Sequence, residues 1–164
     1  MKGLEMEFNT AFRSVPIDKR RTVSKPRKSG ITMVSDYQLG LASLSDLIEV
    51  AGHYIDLFKI APGTSRLFEK THLQAKIKML RANDIRPFLG GQFQEYVIHT
   101  MGVDAMPRHL SEAQALGFDI IEISDNMIQL GQGLKQQLLD MVRDQGMNPV
   151  GEIGDKRESS SIMS

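Results

Sequence analysis

The chain has 164 residues, 41% hydrophobic and 24% charged, with 20 Lys plus Arg balancing 20 Asp plus Glu. That is the composition of one globular domain long enough to bury a core. Cysteine is absent, which excludes disulfides, thiolate catalysis and Cys-ligated zinc. No apolar stretch approaches the roughly 18 residues that a membrane span needs, and Met1 to Glu7 has no secretory apolar core, so the expectation is a cytoplasmic protein with no membrane partner.

Charge is placed unevenly. Residues 1–29 read as a basic, extended lead-in, holding Lys2, Arg13, Lys19, Arg20, Arg21, Lys25, Arg27 and Lys28 against Glu5, Glu7 and Asp18. The run from Lys19 to Lys28 has no interleaved aromatic and surrounds Ser24-Lys25-Pro26, so it reads as a solvated segment and not as a nucleic-acid interface. Ile31 to Asp36 is then the first of five short apolar runs. Ser43 to Val50 opens with capping residues and puts Leu44, Leu47, Ile48 and Ala51 on one helical face, and Gly52 stops it. Tyr54 to Lys59 is the second run. Thr71 to Asn83 is helical, with Leu73, Ile77 and Leu80 inward and Lys76, Lys78 and Arg81 outward.

Ile85 to Gly90 is the third run, closed by Gly90-Gly91, where the lack of a side chain suits either a turn or a close backbone approach to a ligand. Ser111 to Leu116 ends another helix, capped by Gly117. Phe118 to Asp125 is the fourth run. Gln132 to Asp144 is a helix with Leu134, Leu138, Met141 and Val142 inward and Gly146 as its stop. Asn148 to Ile153 is the fifth run, and Arg157 to Ser164 reads as a disordered polar tail.

Short apolar runs alternating with helices give βαβαβαβαβ and a parallel sheet. The repeat of about 30 residues is that of a (β/α)8 TIM-barrel type fold, of which residues 30–156 would supply about five units. An open five-stranded parallel sheet fits the periodicity equally well. Both place chemistry beyond the carboxyl ends of the strands, where Asp36, Lys59, Glu122, Asp125, Glu152 and Lys156 fall. Acids and lysines gathered there suit an anionic substrate with a metal. Glu122 among Ile120, Ile121 and Ile123, and Lys59 between Phe58 and Ile60, are costly to bury unpaired. Asp125 serves either the site or a helix cap, and Glu95 either the site or a helix start. Asp56 and Asp119 lie inside their runs and read as solvated or paired. His53, His72, His99 and His109 have no ligand spacing, and the methionines read as core filler.

Several segments carry a family likeness. Gly30-Ile31-Thr32-Met33-Val34-Ser35-Asp36, Ala51 to Lys59, Gly63-Thr64-Ser65, Gly90-Gly91-Gln92-Phe93-Gln94-Glu95, Leu116 to Asp125 and Gly151-Glu152-Ile153-Gly154-Asp155-Lys156 resemble, in family order, phosphosulfolactate synthase. The resemblance implies a (β/α)8 barrel that adds sulfite to phosphoenolpyruvate with magnesium, a step towards coenzyme M in methanogens. Plant heat-stress-associated proteins are relatives. On this likeness, Lys156 matches the position of the general acid and Lys59 would hold a phosphate or carboxylate. Glu122, Asp125 and Glu152 are the candidate magnesium ligands, the oxygen donors this ion prefers, and Gly90, Gly91, Glu95 and Ser124 are candidates for binding substrate. Ala61-Pro62 and Asp155 depart from the family pattern, and the last three βα units are missing. The alternative is a non-catalytic stress-associated or interaction protein on the same scaffold; a homo-oligomer is compatible with either.

Overall fold

A computed structural model describes residues 11, 12, 14–16, 18, 20 and 24–154. All five apolar runs form strands: β1 (Met33–Asp36), β2 (Leu57–Ile60), β3 (Arg86–Leu89), β4 (Ile120–Ser124) and β5 (Asn148–Glu152). They pair in parallel in the order β1-β2-β3-β4-β5. Each crossover therefore steps to the same side, the winding of a barrel, whereas a doubly wound sheet reverses its order partway. The described sheet is open and five-stranded, as in an incomplete barrel of this type.

The connecting helices are α1 (Leu41–Ala51), α2 (Thr64–Leu67), α3 (Lys70–Ala82), α4 (Gly91–Met101), α5 (Met106–Leu116) and α6 (Gln132–Asp144). The α6 bounds are those expected from its periodicity, and Gly117 caps α5 at φ 106° as the left-handed C-cap. The short α2 and the whole of α4 go beyond the sequence reading. α4 opens on Gly91 and carries Tyr96, Val97, Ile98 and Thr100, a β-branched and aromatic stretch of only moderate helix propensity.

The register fixes which side chains share a face. Ser35 pairs with Lys59, and Lys59 with Phe88. Phe88 pairs with Ile120, while Glu122 and Ser124 pair with Val150 and Glu152. Because directly registered residues point the same way and neighbours along a strand point oppositely, this set forms one face of the sheet. The opposite face carries Phe58, Ile60, Leu89, Ile121 and Ile123, which join Leu44, Leu73, Ile77, Leu80, Leu110, Leu138 and Val142 of the helices in the core. Burying one such side chain is worth about 1.5–3 kcal/mol.

Three expectations change here. Lys76, expected on the outer face of α3, is fully buried: its Nζ is ion-paired to Asp36 and lies 4.8 Å from the Phe68 ring centroid. Asp36 stands at register with Ile60, on the helix-packed face. There it also accepts hydrogen bonds from the amides of Gln38 (2.9 Å) and Leu39 (2.7 Å), so it is a structural acid and not part of the strand-end site. The basic lead-in, expected to be solvated, is anchored at two points. Lys25 Nζ donates to the carbonyls of Gly52 (2.7 Å), Asp84 (3.3 Å) and Asn83 (3.4 Å), and burial lowers its pKa from the ordinary lysine value. Arg27 pairs with Asp56 at 3.1 Å, both side chains being less than a tenth exposed. Asp119 is likewise paired, to Arg86 at 3.4 Å.

Candidate active site

The Phe58-Lys59-Ile60 segment sends its two apolar side chains into the helix-packed core, so the alternation of a strand drives Lys59 to the other face. The same logic in β4 sends Ile121 and Ile123 into the core and Glu122 to the face of Lys59. The lysine and the acid then meet across β3. Lys59 Nζ lies 2.7 Å from Glu122 Oε2 and donates to Oε1 at 2.9 Å, and it stands 3.7 Å from Glu152 Oε2 on β5. Three strand-end residues, 93 positions apart at their extremes, thus form one charged cluster spanning β2, β4 and β5.

Burial grades across the cluster. The Lys59 and Glu122 side chains are 11% and 5% exposed, and Glu152 is 26% exposed. A pair so enclosed is strongly coupled, and removing one partner leaves a buried charge with nothing opposite it. The Gly91 amide, at the N-terminus of α4, donates to Glu122 Oε2 at 2.6 Å, so helix and lysine together hold this carboxylate. Lys59 Nζ is also 6.0 Å from the Phe88 ring centroid on the same face.

Gly90 and Gly91 are glycine for a packing reason. A Cβ on Gly91 would lie 2.7 Å from Ser124 Oγ and 3.0 Å from the Glu122 carbonyl, and one on Gly90 would lie 3.0 Å from Lys59 Cε. The close approach is to the side chains of the cluster and its neighbour Ser124, which lets the start of α4 sit against the end of β4.

Glu95 is committed to the loop that follows β4. Its carboxylate accepts from Ser124 Oγ and from the amides of Asn126 (3.1 Å), Met127 (2.7 Å) and Ile128 (2.8 Å), at 1% exposure. Gln94 Oε1 takes the Ser124 amide at 3.1 Å. Adjacent residues of one helix thus organise the loop, which is the role left open for Glu95 and one that sequence reasoning did not consider for Gln94. Ser124 is buried against both. Asn126, also not singled out, is fully buried with neither side-chain amide atom hydrogen-bonded.

The three carboxylates expected to hold magnesium are not gathered. Asp125 is ion-paired to Lys135 of α6, while Glu122 and Glu152 face the Lys59 ammonium. Among the described residues, no group of three His, Asp or Glu side chains is placed to hold a metal ion. The arrangement fits an ammonium between two acids and does not fit a three-carboxylate metal centre. Lys156 lies outside the described residues.

Comparison with known proteins bears on what such a cluster does. The profile of the (2R)-phospho-3-sulfolactate synthase family matches residues 20–164. A phosphosulfolactate synthase of Methanothermobacter thermautotrophicus is 36% identical over 132 residues, 80% of this chain and 50% of that protein. One from Methanocaldococcus jannaschii is 29% identical over 127 residues, 77% of this chain and 49% of the other. The heat-stress-associated 32 protein of Arabidopsis thaliana is 23% identical over 141 residues, 84% of this chain and 49% of that one. The chain spans about half the length of these relatives.

Proposed function

This chain belongs to the (2R)-phospho-3-sulfolactate synthase family, and from that premise we propose that its strand-end cluster serves the addition of sulfite to phosphoenolpyruvate. The observation that carries the reading is the Lys59–Glu122–Glu152 cluster at the carboxyl ends of β2, β4 and β5, the end at which parallel α/β folds place their chemistry.

The reaction joins two anions, so charge repulsion has to be offset. Sulfur attacks C3 of phosphoenolpyruvate and its electron pair forms the C–S bond. The displaced π pair moves towards the carboxylate, and a proton then closes C2. Lys59 supplies fixed positive charge for a substrate carboxylate or phosphate, the kind of preorganised electrostatic group that stabilises developing charge. Glu122, held by the Gly91 amide, positions the Lys59 ammonium. Lys156 is proposed as the proton donor to C2, a role open to a lysine whose surroundings lower its pKa. No step is routed through magnesium, because the described residues do not bring Glu122, Asp125 and Glu152 together as one ligand group.

The test is sulfite-dependent consumption of phosphoenolpyruvate by the 164-residue chain, followed by phosphorus NMR. Turnover that falls by roughly two orders of magnitude or more in Lys59→Met, the cost of losing a preorganised electrostatic contact, supports the reading. Lys156→Ala should fall as well. Turnover unchanged in Lys59→Met refutes it. The likeness to the heat-stress-associated protein favours a second reading, a non-catalytic protein on this scaffold. A folded chain without sulfite-dependent turnover is its expected result.

A further inference from the structure

The Gly63-Thr64-Ser65 segment, prominent in the sequence, has no part in the Lys59 cluster. Thr64 Oγ1 donates to the Ala61 carbonyl at 2.8 Å, and Ser65 faces elsewhere. It lines a cavity of about 500 Å³ on the helix-packed side of the sheet, bounded by Leu89, Phe93 and His109. Leu89 belongs to the core face, opposite the face of Lys59, so this cavity is distinct from the strand-end cluster. Its volume falls in the range of about 300–1,000 Å³ usual for small-molecule sites.

Two of its lining residues carry a buried polar atom without a hydrogen-bond partner, Ser65 Oγ and His109 Nε2. A buried polar group left unsatisfied costs about 1–3 kcal/mol, so two on one cavity mark a place where a hydrogen-bonding guest is worth more than apolar filling. Phe68, Phe93 and Phe118 form an apolar wall, and the Phe93 ring meets the His109 ring edge-on at 5.0 Å. At the solvent side stand exposed Arg66 and Lys70 against one acid, Glu112. Burial holds the His109 pKa below its ordinary value, with Glu112 acting weakly the other way, so the imidazole is neutral at pH 7 and neither repels an apolar body nor needs a counter-ion.

We propose that this cavity is a second binding site, for a small carboxylic acid with an aromatic body, its head group hydrogen-bonded by Ser65 Oγ and His109 Nε2 and its ring against the phenylalanines. The excess of basic groups at the opening favours the anion over the corresponding neutral amide.

The experiment is an NMR titration of the full 164-residue chain with 3-phenylpropionate, against 3-phenylpropionamide as the neutral control. Saturable shifts at the His109 imidazole and the Leu73, Leu89 and Ala113 methyls are expected. Weaker binding of the amide should accompany them. Ser65→Ala and His109→Gln should each weaken the acid roughly fivefold to tenfold, the loss of one hydrogen bond, while Lys59→Met leaves its affinity unchanged. Three results overturn the proposal: shifts that do not saturate, so that the cavity holds water only; saturable shifts centred on Lys59; or an affinity in both cavity variants equal to that of the unaltered chain. Ser65→Ala removes only a hydroxyl, so it reports even where His109→Gln perturbs folding. Failure here leaves the sulfite reaction untouched, since Ser65 and His109 take no part in it.

Discussion

The buried Asp36–Lys76 pair offers a sharp test of how this sheet is held to its helices. Both side chains are 0% exposed, and Asp36 also accepts the Gln38 and Leu39 amides that turn the chain from β1 towards α1. Lys76→Met keeps the stem that packs on Phe68 but strips Asp36 of its counter-charge. Breaking one partner of a buried pair costs about 3–5 kcal/mol, a large share of the 5–15 kcal/mol by which a domain is usually stable. Asp36→Asn alone should cost a similar amount, because Lys76 is then the stranded charge.

The double variant separates this account from a simple count of lost contacts. With Asp36→Asn and Lys76→Met together no charge is buried, and the Asn oxygen still accepts both amides. What remains is one amide NH2 without a partner, about 1–3 kcal/mol. The double variant should therefore be more stable than either single one. The chain has no Trp and only 3 Tyr, so urea unfolding is best followed by far-UV circular dichroism. Costs that simply add, with the double variant least stable, would refute the reasoning, since additivity belongs to sites that do not interact.

Other consequences follow from the same contacts. Gly91→Ala should destabilise the fold by about 1–3 kcal/mol through overpacking, because the new methyl meets Ser124 and the β4 backbone and Ser124 is itself tied to Glu95; unchanged urea unfolding would show that α4 can shift freely. Glu95→Gln removes the charge that three amides and a hydroxyl share, at about 1.5–3 kcal/mol for hydrogen bonds to a charged group, and the amides of Asn126, Met127 and Ile128 should exchange faster with solvent. His109 titrates below the ordinary histidine value because it is buried. The unfolded chain then takes up this proton first, so stability should fall as pH drops below about 6.5 and level off once the folded imidazole is also protonated. His109→Gln should remove that part of the pH dependence, and an imidazole titrating at the ordinary value by NMR would contradict it. Millimolar magnesium should leave the Lys59 and Glu122 side-chain resonances unshifted; saturable shifts would show that the ion displaces the ammonium.

How much of this was legible in the sequence depends on parity. Five strands, four of the helices and the clustering of Lys59, Glu122 and Glu152 follow from periodicity and from where charge interrupts apolar runs. In Phe58-Lys59-Ile60 and Ile121-Glu122-Ile123 the flanking apolar pair declares the core face, and the charged residue has to take the other. Met33-Val34-Ser35-Asp36 contains no such declaration, since adjacent Met33 and Val34 are both apolar. A shift of one residue exchanges the two faces of a strand, so Asp36 reads as a site acid when it is a core one. Its partner Lys76 was hidden for the matching reason: a lysine on an amphipathic helix is assigned to solvent unless an acid is known to face it, and that acid is 40 positions away. Glu95 and Gln94 were obscured because α4 carries the aromatic and β-branched run Tyr96-Val97-Ile98 soon after Gly90-Gly91, which made a helix start hard to separate from a turn. The structural acids Asp36 and Glu95 and the cluster acid Glu122 are all almost fully buried, so burial alone does not separate them. What does is the partner. Asp36 and Glu95 are held by a core lysine or by loop amides, whereas Glu122 shares Lys59 with Glu152, the most exposed member of the cluster, so Glu122 is the one acid of the three whose partner also reaches a partly exposed strand end.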